Sequence, residues 1–527
     1  MRHAAKLLAL VLVLALKPAC GGGGGGGGGA GTSGPLALPA VVASLPLDTA
    51  TATTSIPVGG KSDGTVQTLL QSALNTGGKI VLSNGGTPRT ITLTATTPGL
   101  ALTLPSNSGA PNTVILDGSG DITLSGGGSV RILDLQDQAQ LTVQRMTFSN
   151  ATTSQAGAAI NSLATVRDIT LINCTFDSCV TTSTGPDIGG GAVRIWNGSH
   201  TQISNCTFTN CSGSNGGAVN SLGTRLTIIN STFSTNSAFG TGGGADAGPT
   251  GQGGIGGAVY VDNVSNDASA LHQLSVTGCT FNGNSAKDSA GALFGYTNPA
   301  APSVTIIDRC TFAGNTVPAG GHGYSGAIYS QAGTLTLSNS TLTGNTAASN
   351  AGGIFCTNSS SLIANCTFQG NTAGTGTTGL GGAIFATAGN VSLVNDTLAQ
   401  NTADDFAGGL FSTAASTSVQ NCVFSGNTAV GNPAAGTQVN SSFAGGANVQ
   451  APASGTGAKP ASASGTLMVA DAKLGPLQNN GGPTQTMQPQ AGSPAIDLAG
   501  VSGAPATDQR GNSRTGAGPD AGACEGP

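Results

Sequence analysis

One short phrase recurs nine times between Cys174 and Asn427, and it constrains the fold more than any other feature of the chain. Each copy is an apolar alternation, then Asn-Cys-Thr-Phe or a near relative, then Asn, then a Gly-Gly-Ala-Ile type step. Its aromatic or leucine position is held by Phe176, Phe208, Phe233, Phe281, Phe312, Leu342, Phe368, Leu398 and Phe424, spaced 25 to 32 residues apart with one interval of 48. Periods of this size belong to stacked repeats that bury their core against one another. The alternation has period two, which excludes helical solenoids and leaves a β-solenoid, with residues enough per coil for three short strands and three turns.

Three residues before the Phe column stand Asn173, Asn205, Asn230, Asn339, Asn365, Asn395 and Asn421. Alternation puts Leu226, Ile228 and Asn230 on one side, and likewise Leu335, Leu337 and Asn339. The expectation is therefore an interior amide ladder in which Asn365 sits between Asn339 and Asn395, while Asn358 falls outside it in a turn. Three residues after the Phe column a second set, Asn236, Asn284, Asn315, Asn345, Asn371, Asn401 and Asn427, marks a turn, with Cys179 and Cys211 in that place in the first two coils. Glycine pairs such as Gly216-Gly217 and Gly381-Gly382 follow, where positive φ or close backbone approach is needed before the next apolar strand.

Recurring in phase, the signatures G-G-A-[IVL] and F-x-x-N resemble those of chlamydial polymorphic outer membrane proteins and, more broadly, of pectate-lyase-like β-helix proteins. The resemblance covers residues 62 to about 450. It implies an all-β fold, a single-stranded right-handed parallel β-helix. The amphipathic segment Thr65–Leu74, ended by Gly77-Gly78, reads as a short N-terminal helical cap over the first coil. About twelve coils at roughly 4.8 Å give a rod on the order of 55 to 60 Å. The last hundred residues lack the alternating segments of a membrane barrel.

Arg2, His3 and Lys6 precede ten apolar residues, Leu7 to Leu16, a run too short to span a membrane but of secretory length. Residues 1–19 are expected to be a signal peptide. Lys17-Pro18-Ala19-Cys20 and the nine glycines behind it resemble a bacterial lipoprotein processing site, although Lys17 stands where that pattern carries Leu. The resemblance implies lipid attachment at Cys20, a tether over residues 20–61, and display on the cell surface or outer membrane.

Ten cysteines remain, and six of them (Cys174, Cys206, Cys279, Cys310, Cys366 and Cys422) lie two residues before the Phe column, as buried stacking residues would. Pairing within C-x4-C or between equivalent coils stays open. With four histidines and no C-x2-C, no metal site is expected. Residues 451–527 differ in kind. Leu474–Thr484, Gly492–Asp497, Thr507–Gly511 and Asp520–Glu525 resemble, in order, the four blocks of the choice-of-anchor Q domain, whose members are extracellular. There Asp497, Asp508, Arg510 and Glu525, the only glutamate, are expected to form a polar lock that caps the last coil.

Loss of Arg2, Lys6 and Lys17 leaves 14 basic against 22 acidic residues, and no basic stripe with interleaved aromatics appears, so nucleic acid is not an expected partner. A monomeric binding, adhesive or structural protein of the cell envelope is the leading reading, with carbohydrate or a surface protein as ligand. Loops at 181–189, 238–256, 263–271 and 317–324 leave the repeat, and Trp196, His200, His322 and Tyr324 are candidates to stack on sugars. No catalytic residues are assigned. The alternative is a polysaccharide lyase or glycoside hydrolase. The pectate-lyase-like resemblance would then imply Ca2+ held by Asp187, Asp262, Asp267, Asp288 or Asp308, with Arg194, Lys287 or Arg309 as base. A column of threonines from Thr147 to Thr397, just before the Phe column, faces outward and is similar to a row of an ice-binding solenoid, although one row is not a flat array.

Overall fold

The computed structural model describes residues 36–527 apart from 107–111, 163–167, 186–187, 242–252, 263–271, 298–302, 376–377, 432–436, 453–465 and 499–502. These residues form a parallel β-solenoid of about 12 turns. Four sheets run its length rather than three. A typical coil places Val219–Leu222 in sheet A, Arg225–Ile229 in sheet B, Thr232–Ser234 in sheet C and the two-residue strand Ser237–Ala238 in sheet D. Sequence alternation cannot reveal a strand of two residues, so the fourth sheet was hidden in what reads as a turn.

The coils stack in phase with the sequence columns. Phe176, Phe208, Phe233, Phe281 and Phe312 pair in register, and from Phe148 to Phe312 their rings stack at 4.7 to 5.0 Å. Inward Val, Ile and Leu from sheets A and B complete one continuous core. The helix Asp63–Thr76, with Ser62 as its N-cap, lies against the first strands. Its Asp63, Gln67 and Gln71 accept N–H bonds from Thr92, Thr94 and Thr103. Sheet B already begins at Thr54–Pro57, inside the stretch read as tether.

The continuous ladder is not in the column where it was expected, although in the first column Asn365 and Asn421 are buried and donate to Asn339 and Asn395 at 3.2 Å. The first column, at the corner between sheets B and C, is left-handed throughout, with φ of 47 to 57°. Asn tolerates that region better than other residues with a Cβ, and a left-handed residue breaks the period-two alternation. Its side chain therefore points out, and Asn173, Asn205 and Asn230 are exposed. The interior ladder is the second column. From Asn236 to Asn427 each Nδ2 donates to the next Oδ1 at 2.9 Å. Each also donates to a main-chain carbonyl of the preceding coil, such as Phe208 or Leu342. The carboxamide is used here because the site needs both a donor and an acceptor. Asn358, expected to be peripheral, is also buried and donates to the carbonyl of Ala332.

A third column explains six of the cysteines. All ten described cysteines are buried and free. Backbone N–H groups of Cys206, Ser231, Cys279, Cys310, Cys366, Asp396 and Cys422 donate to the side chains of Ser231, Cys279, Cys310, Ser340, Asp396, Cys422 and Asn448 on the following coil. Thiol, hydroxyl, carboxyl and amide are interchangeable there as small buried acceptors. Burial pushes the Asp396 carboxyl well above the usual carboxylate range, against the two backbone N–H bonds it accepts from Cys366 and Val394.

Candidate functional site

The face of sheet A turned away from the main core carries a second cluster of aromatic side chains, which are buried apart from the partly buried Tyr329. Register places Arg194, Asn220, Tyr260, Phe294, Tyr329, Phe355, Phe385 and Phe411 in one outward row. Tyr260 stacks on Phe294 at 5.1 Å, Tyr329 on Phe355 at 4.7 Å and Phe355 on Phe385 at 4.8 Å. This second aromatic ladder was missed in the sequence, although a signal exists: the residue after the apolar member of the glycine step is aromatic in six consecutive coils. The neighbouring row holds Trp196 beside Leu222, and Tyr296 beside Gln331. Trp196 is 44% exposed. The Arg194 guanidinium lies over its ring, 4.6 Å from the centroid, a cation–π contact.

At the rim of this face two turns meet. His322 Nδ1 lies 2.9 Å from Asp288 Oδ1, which also accepts the His322 N–H at 3.0 Å, and Ser289 donates to Oδ2 at 2.9 Å. Burial works against the Asp288 carboxylate, but the His322 bonds outweigh it and hold its pKa below the ordinary value. The same bond raises the His322 imidazole against partial burial. The Tyr324 ring lies 5.5 Å from His322 and meets Phe355 edge-on at 5.4 Å.

Of the four candidate stacking residues, only His322 and Tyr324 adjoin. His200 stands on sheet B between Asp168 and Arg225, with Nε2 3.0 Å from Thr227 Oγ1; burial lowers its pKa. The lyase candidates are likewise dispersed. Asp187 and Asp267 lie outside the described residues. Asp262 accepts from Tyr260 at 3.2 Å on sheet A. Asp308, at the end of a sheet B strand, takes Ser338 and Asn339 bonds and pairs with Arg309. Burial raises its pKa despite those bonds. Lys287-Asp288 and Asp308-Arg309 therefore occupy different corners of the coil, and among the described residues no three His, Cys, Asp or Glu gather as a metal site.

The C-terminal region adds its strand Thr466–Met468 to sheet C beyond Asn448–Ala451 at the end of the solenoid, and its later blocks dock along the side. Thr484 donates to the Asn339 carbonyl, Asn365 to that of Thr507 and Asn395 to that of Asp520. Thr341 and Thr367 donate to Gln485 and Gln509, and Thr397 accepts from the Ala523 N–H. The outward Asn and Thr columns thus present one set of polar groups per coil, and the C-terminal blocks use them; the threonine row is not a free face there. The polar lock itself is present. Arg510 pairs with Asp508 at 2.7 Å, and Glu525 accepts the Asp520 N–H. Arg514, missed in the sequence, pairs with Glu525 at 2.6 Å and donates to Asn365 Oδ1 at 2.8 Å. Asp497 lies at the edge of this cluster, its backbone N–H bonded to Asp520. Every charge in the cluster has a partner within it or in the solenoid, so it holds the region in place.

Comparison with family models, curated proteins and solved structures gives no match.

Proposed function

We propose that the protein is an exported solenoid, anchored to the membrane through a lipid on Cys20, that binds polysaccharide at the outer face of sheet A. The observation that carries the reading is the exposed Trp196 with Arg194 over its ring. An indole offers a flat apolar face to a sugar ring, and the buried Arg194 guanidinium supports the ring from one side. The signal-like segment, Cys20 and its glycine run support export and anchoring. Among the described residues no helix is long and apolar enough to cross a membrane.

Trp196 is the only tryptophan, so its emission reports on this face alone. Titration with neutral and acidic polysaccharides should shift or quench it, and Trp196→Phe should weaken retention on the same polymer. Unchanged emission across the panel refutes the binding reading. Unsaturated products appearing with Ca2+ would replace it with a lyase. Cys20→Ala should abolish partition into detergent if the lipid is present.

A further inference from the structure

The chain does not enter the solenoid where the solenoid begins. Leu36 bonds to the Ala504 carbonyl and bridges Pro505, within the docked C-terminal region. The Ala40 carbonyl then accepts from Arg309, and Ser44 sits between Asn205 and Asn230, bonding both. Asp48 reaches Gln144 and Lys79. Only afterwards does Thr54–Pro57 open sheet B. Residues 36–50 therefore form a strap that runs down the outer corner, against the direction in which the coils are added. Together the strap and the C-terminal region bond to members of the outward Asn column from Asn205 to Asn421.

The level at which the strap starts can be read from its neighbours. Thr507, two residues beyond Pro505, bonds Asn365, which follows the eleventh of the 14 strands in sheet B. At about 4.8 Å per coil, Leu36 is fixed roughly 48 Å from the first strand and about 14 Å from the last. Sixteen residues join Cys20 to Leu36, so a lipid on Cys20 ties the chain to the membrane through the level of the eleventh sheet B strand and not through the first. We propose that the protein is displayed with its C-terminal coils facing the lipid surface and the helix Asp63–Thr76 outermost. Had the chain entered directly at Thr54, the polarity would be the reverse. Trp196, on the fourth of the 11 sheet A strands, then lies more than halfway out from the membrane. The proposal rests on the lipid reading of Cys20.

The test is energy transfer from the full-length protein to acceptor-labelled lipid headgroups. Donors are attached at Val430→Cys, beside the last sheet D strand, or at Leu69→Cys on the helix; the native positions are 64% and 40% exposed, whereas the described native cysteines are buried. Transfer from position 430 should exceed transfer from position 69. Equal or inverted transfer overturns the proposal. Vesicle flotation of the wild type against Cys20→Ala judges the lipid reading separately. In a second arm, a chain starting at residue 21 with an N-terminal hexahistidine tag is held on nickel-chelating lipid, where the same inequality decides polarity whether or not Cys20 is acylated.

Discussion

Replacing Asn371 by Leu tests the assignment of the interior ladder. The side chain is fully buried and makes four bonds. It donates to the Leu342 carbonyl and to Asn401 Oδ1, both at 2.9 Å, and accepts from the Asn345 backbone N–H at 3.1 Å and Asn345 Nδ2 at 2.9 Å. Leucine is close in volume, so the loss is one of hydrogen bonding. A net bond contributes about 1 kcal/mol, and a buried group stripped of its partner costs about 1 to 3 kcal/mol. With the main-chain groups of Leu342 and Asn345 both losing these bonds, and some return from burying apolar surface, the expected destabilisation is about 3 to 5 kcal/mol. The contrast is Asn230→Ala at the exposed corner, which loses the Ser44 bond and the tolerance of Asn for left-handed φ, about 1 kcal/mol. Equilibrium denaturation followed by circular dichroism measures both. Because a solenoid can unfold coil by coil, amide exchange of Asn345 and Asn371 gives the local value as well. An Asn371→Leu cost no larger than that of Asn230→Ala would show that the second column is not the ladder.

Asp396 predicts a pH dependence. Burial raises the pKa of its carboxyl in the native state above the ordinary value that it has when unfolded. The native state thus binds more protons between the two pKa values, and stability falls as pH rises above the unfolded value. The melting temperature of the wild type should drop as pH rises from 4 to 7 more than that of Asp396→Asn; parallel pH profiles would refute a raised native pKa at Asp396. Arg514→Met leaves Glu525 buried without its cation and should weaken C-terminal docking by about 3 to 5 kcal/mol. Limited proteolysis should then cut after about residue 470 while the coils stay intact, and an unchanged digestion pattern counts against the lock. In the Phe column, Phe233→Leu should cost about 1 to 1.5 kcal/mol, since Leu342 and Leu398 already occupy it, whereas Phe233→Ala should cost about 3 to 5 kcal/mol. Similar melting shifts for the two would place that ring outside the stack.

The repeat alone determined that this is a parallel β-solenoid, because period-two alternation recurring in phase every 25 to 32 residues has no other way to bury its apolar side. It also determined that Phe176 and its equivalents lie inside, while the helix was legible separately in the amphipathic Thr65–Leu74 and follows the first strand of sheet B. Tertiary structure decided which asparagines form the ladder. Left-handed φ at Asn230 and its equivalents reverses the side-chain direction that alternation predicts, and no local pattern separates an outward corner Asn from an inward turn Asn. The paths of the two terminal segments were equally out of reach, since Ser44 with Asn205 and Arg514 with Asn365 are contacts across 161 and 149 residues. The Asp288–His322 pair and the Arg194–Trp196 contact were only partly visible: their residues stood out, but the stacking register that decides which of them meet is fixed by the coils.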